Sequence, residues 1–334
     1  MERIAIIGAG SWGSALARIL GDNGHKVVLY DTDNEIVDEI NNLHTNLSKL
    51  PNGKLPNTVT ATTNLDLAVN SCSNILIAVP TKVVRDVLKS INTVIKSPKL
   101  FINASKGIEP STYKRVSEIV YEEIDNQFIN EFVVITGPSH AEEVIEQRVT
   151  CVAAACKNID YAKYVQTMFS NNTYFRVYTL TDLVGAELGG SLKNIYAIAA
   201  GMLYGLGFGD NARAALITRA LSEMRRLAVA MGAKERTLFG LTGVGDLIVT
   251  TTSFHSRNFQ AGMKLATGKN LEETIASMTM VVEGARTVVS AYFASKELKI
   301  DTPIIDAVYE VIYNHKPVYD AISEIMNRAL KDED

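Results

Sequence analysis

The chain is poor in cysteine, lacks any long apolar run and carries no surplus of basic charge, and each absence removes a class of protein. Three cysteines in 334 residues, Cys72, Cys151 and Cys156, are too few and too scattered for a disulfide framework or a thiolate metal site. They read as small apolar core residues in a reducing compartment. Five histidines, at positions 25, 44, 140, 255 and 315, have neither ligand spacing nor a nearby acid pair, so no metal centre is expected. No apolar stretch reaches transmembrane length, and the first strand pattern follows Met1 almost directly, so neither membrane insertion nor a signal segment is expected. With 33 basic against 37 acidic side chains the net charge is -4, which offers no general attraction to nucleic acid or to an anionic membrane. Any anionic ligand must be met by a local cationic cluster. The expectation is a cytoplasmic protein acting on a small molecule.

What the chain does have is size and apolar content: 334 residues at 47% hydrophobic suffice for two cores. The most informative stretch is Gly8-Ala-Gly10-Ser-Trp-Gly13, set between the apolar run Ile4–Ile7 and the helix-like segment Ser14–Leu20. Glycines at these spacings allow a sharp turn, close approach of the backbone to a pyrophosphate and tight packing of helix on strand, with the helix N-terminus facing the anion. A second strand pattern, Lys26–Tyr30, ends at Asp31, where a carboxylate can accept hydrogen bonds from ribose hydroxyls and repel a 2'-phosphate. Trp12 sits inside the turn, either against a cofactor or as a staple of the helix start.

Up to about residue 180, short apolar runs alternate with helical patterns, the signature of a doubly wound, mostly parallel Rossmann-type α/β sheet. Further strands are expected at 74–79, 100–103, 132–135, 150–154 and 174–178. Loops 80–81, 104–107 and 137–140 follow three of these strands, and ligands of open α/β sheets bind at carboxyl ends of strands. From Asp182 the strand signal stops and long helical patterns cover 182–202, 211–231 and 283–296. The chain therefore divides into a dinucleotide-binding domain, residues 1–181, and an all-helical second domain, residues 182–334, that carries substrate and catalysis. The apolar helices of that second part lead to the expectation of a homodimer.

The helix opening the second domain places Lys193 on a face with Ala186, Gly189, Gly190, Ala197, Ala200 and Gly201. Each glycine inside a helix costs about 0.5–1 kcal/mol relative to alanine, so the pair at 189–190 needs a reason. Either the glycines admit a crossing helix while Lys193 reaches out to water, or Lys193 is desolvated and suited to proton transfer. Asp246, after the turn Gly240–Gly245, has a similar double reading, as the cap of the helix it opens or as a site carboxylate. Ser256-Arg257-Asn258 supplies the planar fork and amide that suit a phosphate monoester, and Lys106 follows a strand end where substrate should lie. His140 and His255 fall in the same loops. No Walker lysine motif accompanies the glycine-rich stretches.

Taken together, Gly8–Gly13, Ala104–Gly107, Gly137–Glu142, Glu187–Asn194, Gly240–Asp246, His255–Asn258 and Val282–Gly284 resemble, in order and over nearly the whole chain, the bacterial NAD(P)-dependent glycerol-3-phosphate dehydrogenases. The resemblance implies reversible reduction of dihydroxyacetone phosphate to sn-glycerol 3-phosphate, feeding glycerophospholipid synthesis. It implies that Lys193 acts as general acid and base, that Lys106 and Asp246 orient it and the substrate oxygens, and that Arg257 and Asn258 clamp the phosphate with Ser256 beside them. Gly137 and Ser139 would line the substrate pocket. Gly8, Gly10, Ser11, Trp12, Gly13, Asp31, Lys106, Ala141, Arg257, Val281 and Glu283 would hold NAD(H) or NADP(H). Many bacterial relatives carry a base after the second strand, whereas Tyr30-Asp-Thr-Asp-Asn34 offers two acids, which favours NAD(H). Two rivals share the nucleotide half: a two-domain reductase of hydroxy or keto acids, and an NAD(H)-binding sensor without turnover. Ser256-Arg257-Asn258 with Lys106 separates the first, and the joint presence of Lys193, Asp246 and Lys106 the second.

Overall fold

The computed structural model describes residues 1–109, 112–278, 282–330 and 332–333. Its strands are β1 (Arg3–Ile7), β2 (Lys26–Tyr30), β3 (Val59–Thr62), β4 (Asn74–Ile77), β5 (Lys99–Asn103), β6 (Ile129–Thr136), β7 (Thr150–Ala155) and β8 (Phe175–Leu180). They form one sheet in the order β3-β2-β1-β4-β5-β6-β7-β8. Neighbours run parallel except β6 and β7, which pair antiparallel. Strand β3 is absent from the sequence expectation because its four residues, Val-Thr-Ala-Thr, form a short edge strand without an apolar run.

Alternation along the buried strands decides which core each side chain joins. Ile4 and Ile6 pack on one face of the sheet, Ala5 and Ile7 on the other. Leu100 and Ile102 likewise oppose Phe101. Each such fully buried Ile, Leu or Phe contributes about 1.5–3 kcal/mol, which is why the central strands tolerate so few polar residues. Cys72 and Cys156 lie in these cores, Cys151 is half-buried, and all three are unpaired.

Strand order fixes where a ligand can sit. From β1 the chain winds outward through β2 to β3, then returns to β4 on the other side of β1 and continues outward. The carboxyl ends of β1 and β4 therefore flank the crevice where the winding reverses. Gly8 follows β1 there with φ +110, and a Cβ on it would stand 2.9 Å from the Val79 side chain beyond β4.

Beyond β8 the described residues are helical or irregular. The long helix Leu183–Gly205 is buried along nearly its whole length and forms the axis of this half. Its small residues admit a crossing helix: a Cβ on Gly201 would lie 2.0 Å from the Phe259 carbonyl oxygen, and one on Gly262 2.0 Å from that of Ile198. The sheet half grips the same helix through Glu187, whose carboxylate accepts from Ser117 N at 2.8 Å, Ser117 Oγ at 2.6 Å and Arg115 Nη1 at 3.1 Å. Among the described residues no helix is long and apolar enough to cross a membrane.

Candidate active site

The turn after β1 leads into the helix Ser11–Asp22, whose N-cap, Gly10, supplies no side-chain bond. A Cβ on Gly13 would fall 2.0 Å from the Gly8 carbonyl oxygen, so only glycine lets the helix start this close to the strand. Gly10 faces open space, and among the described residues the Ser11, Trp12 and Gly13 amides have no acceptor. Unfilled amides at a helix start suit the pyrophosphate of a dinucleotide, so the residues present fit that cofactor. Asp31 stands half-exposed at the end of β2; its Oδ2 accepts from Ala9 N at 2.9 Å and its Oδ1 from Asp33 N at 3.2 Å. Asp33 caps the next helix through Glu35 N. The two acids thus differ in work: Asp31 pins the turn, while Asp33 is engaged as a cap.

The cleft continues over the sheet into the helical half, with Ala78, Pro80, Ser105, Lys106, Ser139 and Ala141 on one wall and Lys193, Asn194, Thr250, Ser256, Arg257 and Glu283 on the other. All three loops expected at strand ends reach it. At its floor Asp246, wholly buried, lies between two lysines. Lys193 Nζ donates to Asp246 Oδ1 and to Thr250 Oγ1, both at 2.6 Å. Lys106 Nζ donates to Asp246 Oδ2 at 2.9 Å and to the Gly137 carbonyl at 3.0 Å.

Two cations thus share one carboxylate in a region of low dielectric. Burial disfavours the charged form of Lys193, Asp246 opposes that, and the Lys106 charge adds to it, so its pKa is brought down to about 8. For Asp246, burial pushes upward but the two lysines outweigh it and hold the carboxyl below its usual range. Lys193 is 6% exposed, so its ammonium is largely desolvated although it still lines the cleft. Asp246 opens the helix Asp246–Thr252 but makes no capping bond, because both its oxygens face the lysines; the cap reading is set aside. Thr250, one turn on, donates to the Asp246 carbonyl at 2.6 Å and so presents a lone pair to Lys193.

Arg257 begins the helix Arg257–Leu265 at the cleft wall, half-buried and without a hydrogen bond or ion pair to any described residue. Its fork is available to an anion beside that helix's N-terminus. The Ser256 hydroxyl oxygen is taken up as N-cap, accepting from Phe259 N at 3.3 Å. Asn258 is largely committed as well: its amide donates to Asn194 Oδ1 at 3.0 Å and accepts from Gly284 N at 2.9 Å. Asn258 therefore holds the long helix and the Glu283–Glu297 helix together, with one N–H left over. Glu283 Oε1 accepts from Thr81 N at 3.3 Å, joining the two halves at the cleft. Ser139 Oγ donates to the Gly137 carbonyl at 2.9 Å, so Gly137 contributes that carbonyl rather than a lining surface. His140 and His255 face each other with ring centroids 5.8 Å apart, and burial together with Lys193 lowers the pKa of His140. Trp12 lines the cleft and packs against the core of the sheet half. Val281 lies outside the described residues. Thr250 and Asn194 escape sequence reasoning, although they stand four residues from Asp246 and next to Lys193.

A dinucleotide turn facing a buried lysine–carboxylate–lysine set, with an arginine at the wall that makes no hydrogen bond or ion pair among the described residues, defines a two-part nicotinamide-dependent oxidoreductase of an anionic carbonyl or hydroxyl compound. Residues 3–162 match the NAD-dependent glycerol-3-phosphate dehydrogenase N-terminus and residues 182–323 match the C-terminus of the same family. The chain belongs to the NAD-dependent glycerol-3-phosphate dehydrogenase family. It is 50% identical over 333 residues to a glycerol-3-phosphate dehydrogenase (NAD(P)+) of Bacillus cytotoxicus, covering 100% of this chain and 97% of that one. A protein of the same description from Bacillus cereus is 49% identical, with 100% and 98% covered. The crystal structure of glycerol-3-phosphate dehydrogenase from Coxiella burnetii superposes with a TM-score of 0.92 at 35% identity, covering 98% of this chain and 99% of that one. A ketopantoate reductase from Ralstonia eutropha shares the fold alone, at TM-score 0.59 and 14% identity over 97% of this chain and 100% of that one.

Proposed function

We propose that the chain reduces dihydroxyacetone phosphate to sn-glycerol 3-phosphate with NAD(P)H, with Lys193 as proton donor, and that the product feeds glycerophospholipid synthesis. The observation that carries the assignment of roles is the fully buried Asp246 bonded to both Lys193 and Lys106 at the cleft floor. When bound, the nicotinamide supplies the hydride to the substrate carbon. As negative charge builds on the carbonyl oxygen, Lys193 gives it an Nζ proton, and the neutral amine left behind is reprotonated from solvent. Asp246 and Thr250 fix the Lys193 ammonium, while Lys106 offers a second positive charge to the same oxygen. Both lysines act more strongly on the transition state than on the neutral ketone, which is what accelerates the step. Arg257, with the remaining N–H of Asn258, holds the phosphate, and Ser139 with the Gly137 loop shapes the opposite wall.

On this reading residues 1–181 hold the cofactor through Gly8, Gly10, Ser11, Trp12, Gly13, Asp31, Lys106 and Ala141, and residues 182–334 add Arg257, Val281 and Glu283. A cytoplasmic homodimer completes the proposal. The experiment is the reverse reaction: with sn-glycerol 3-phosphate and NAD+ at alkaline pH, absorbance at the NADH band should rise, and a flat trace would count against the assignment.

Cofactor choice follows from the end of β2. Two carboxylates, Asp31 and Asp33, stand there, and the segment 30–34 contains no base to pair with a 2'-phosphate. The expected result is a kcat/KM for NADH above that for NADPH by about tenfold or more, corresponding to about 1.4 kcal/mol. Equal or better use of NADPH would contradict the role given to Asp31.

A further inference from the structure

A segment that the site description leaves out reaches the dinucleotide turn from the side. After the helix Asn34–Leu43 the chain turns at His44, with φ 54, and residues 44–56 run back along the helix Ser11–Asp22. Leu50 and Leu55 anchor this strap in the core, and the Glu39 carboxylate holds its start by accepting from Thr45 Oγ1 and Leu47 N, both at 2.7 Å. Its key side chain is Asn46, 2% exposed. Asn46 Nδ2 donates to the Ala9 carbonyl at 2.7 Å and to Ser14 Oγ at 2.9 Å. Further along, the Lys49 carbonyl accepts from Ser11 Oγ at 2.9 Å and the Lys54 carbonyl from Arg18 Nη1 at 2.7 Å.

What these bonds avoid is as telling as what they make. An ordinary cap satisfies a helix start by consuming its first amides. Here the strap takes a carbonyl, two hydroxyls and a guanidinium, and the Ser11, Trp12 and Gly13 amides are left without an acceptor among the described residues. Ala9 is held from both sides: its N–H by Asp31 and its carbonyl by Asn46. With that residue pinned, the turn on either side of it has a fixed direction, so its free amides converge before a ligand arrives. Preorganisation of this kind removes an ordering cost from binding.

We propose that Asn46 is a positioning residue for the dinucleotide, acting through the Ala9 carbonyl and the Ser14 hydroxyl to hold the free amides of the first helix toward the pyrophosphate. The proposal rests on the dinucleotide reading of the Gly8–Gly13 turn. It predicts an effect confined to one substrate: the cofactor end is loosened, while Lys193, Asp246 and Arg257 keep their places.

The test is calorimetric titration with NADH of the parent protein and of Asn46→Ala, together with steady-state kinetics and thermal unfolding. In Asn46→Ala the Kd and KM for NADH should rise about tenfold, the loss of two modest hydrogen bonds. The KM for dihydroxyacetone phosphate and the kcat at saturating NADH should stay within about twofold. An unchanged Kd in a folded variant would overturn the proposal. So would a joint rise of both KM values with a lowered unfolding temperature, which is what a merely structural role produces. Should Asn46→Ala fail to fold, Ser14→Ala keeps Asn46 but removes one of its acceptors; it should weaken NADH selectively, and unchanged binding would refute the assignment. A parent protein that does not bind NADH at all would instead remove the dinucleotide reading and the proposal with it.

Discussion

Replacing Lys193 with alanine is expected to lower kcat for reduction about 10²- to 10⁴-fold, the range typical of a lost general acid, with NADH binding unchanged. The fold has shifted the charge state of Lys193 at the cleft floor. Burial and the neighbouring Lys106 make its ammonium easier to deprotonate, while Asp246 keeps it from becoming a permanently neutral amine. The outcome, about 8, places the proton within reach of both directions of the reaction. The sign follows directly. Reduction needs the ammonium, so kcat/KM for dihydroxyacetone phosphate should be level below pH 8 and fall above it. Oxidation needs the free amine, so kcat/KM for sn-glycerol 3-phosphate should rise up to pH 8 and then level off. A Lys193→Ala protein retaining full turnover, or parallel profiles in the two directions, would remove Lys193 from proton transfer.

The second large effect concerns Arg257. Exchange for leucine is expected to raise the KM for dihydroxyacetone phosphate about 10- to 100-fold, matching the roughly 1.5–3 kcal/mol of a hydrogen bond to a charged group. The guanidinium has no hydrogen-bond or ion-pair partner among the described residues, only a through-space attraction to Glu283, so its removal breaks no internal bond and should leave stability close to the parent. That separates Arg257 from Asn258, whose amide joins Asn194 to Gly284 and whose loss should disturb the helices as well as the substrate. The few molecules of unphosphorylated dihydroxyacetone that react should do so equally fast in parent and Arg257→Leu. A variant with an unchanged KM for the phosphorylated substrate would place the phosphate elsewhere.

Glycine spacing made the dinucleotide turn legible because the constraint is geometric: Gly13 sits where a Cβ would meet the Gly8 carbonyl. Apolar runs disclosed seven strands for the same kind of reason, since strands buried on both faces carry polar residues mainly at their ends, as at Asn74, Lys99 and Asn103. Strand β3 failed that test, having threonine at alternate positions on an edge. Strand β6 begins earlier than its apolar run because Asn130 and Glu131 lie outside the core. The pair at Gly189 and Gly190 prompted two readings of Lys193: the pair itself lies against the Thr242 carbonyl and the Thr136 hydroxyl while the crossing helix packs at Gly201, and Lys193 is desolvated instead of reaching out to water. Spacing could not say which way Asp246 turns, because a carboxylate at a helix start serves a cap or a distant lysine with the same sequence. Asn46 and Thr250 were out of reach altogether. Each acts through one or two hydrogen bonds set by tertiary structure, and a lone asparagine or threonine carries no periodicity to reveal it.

One measurement reaches the central claim directly: absorbance at the NADH band with dihydroxyacetone phosphate in one cuvette and unphosphorylated dihydroxyacetone in the other. A carbonyl reduced beside Lys193 while its phosphate is held by Arg257 predicts rapid oxidation of NADH in the first cuvette and, from the same hydrogen-bond energy, a kcat/KM lower by about 10- to 100-fold or more in the second. Equal rates in both, or none in either from protein that binds NADH, would contradict it.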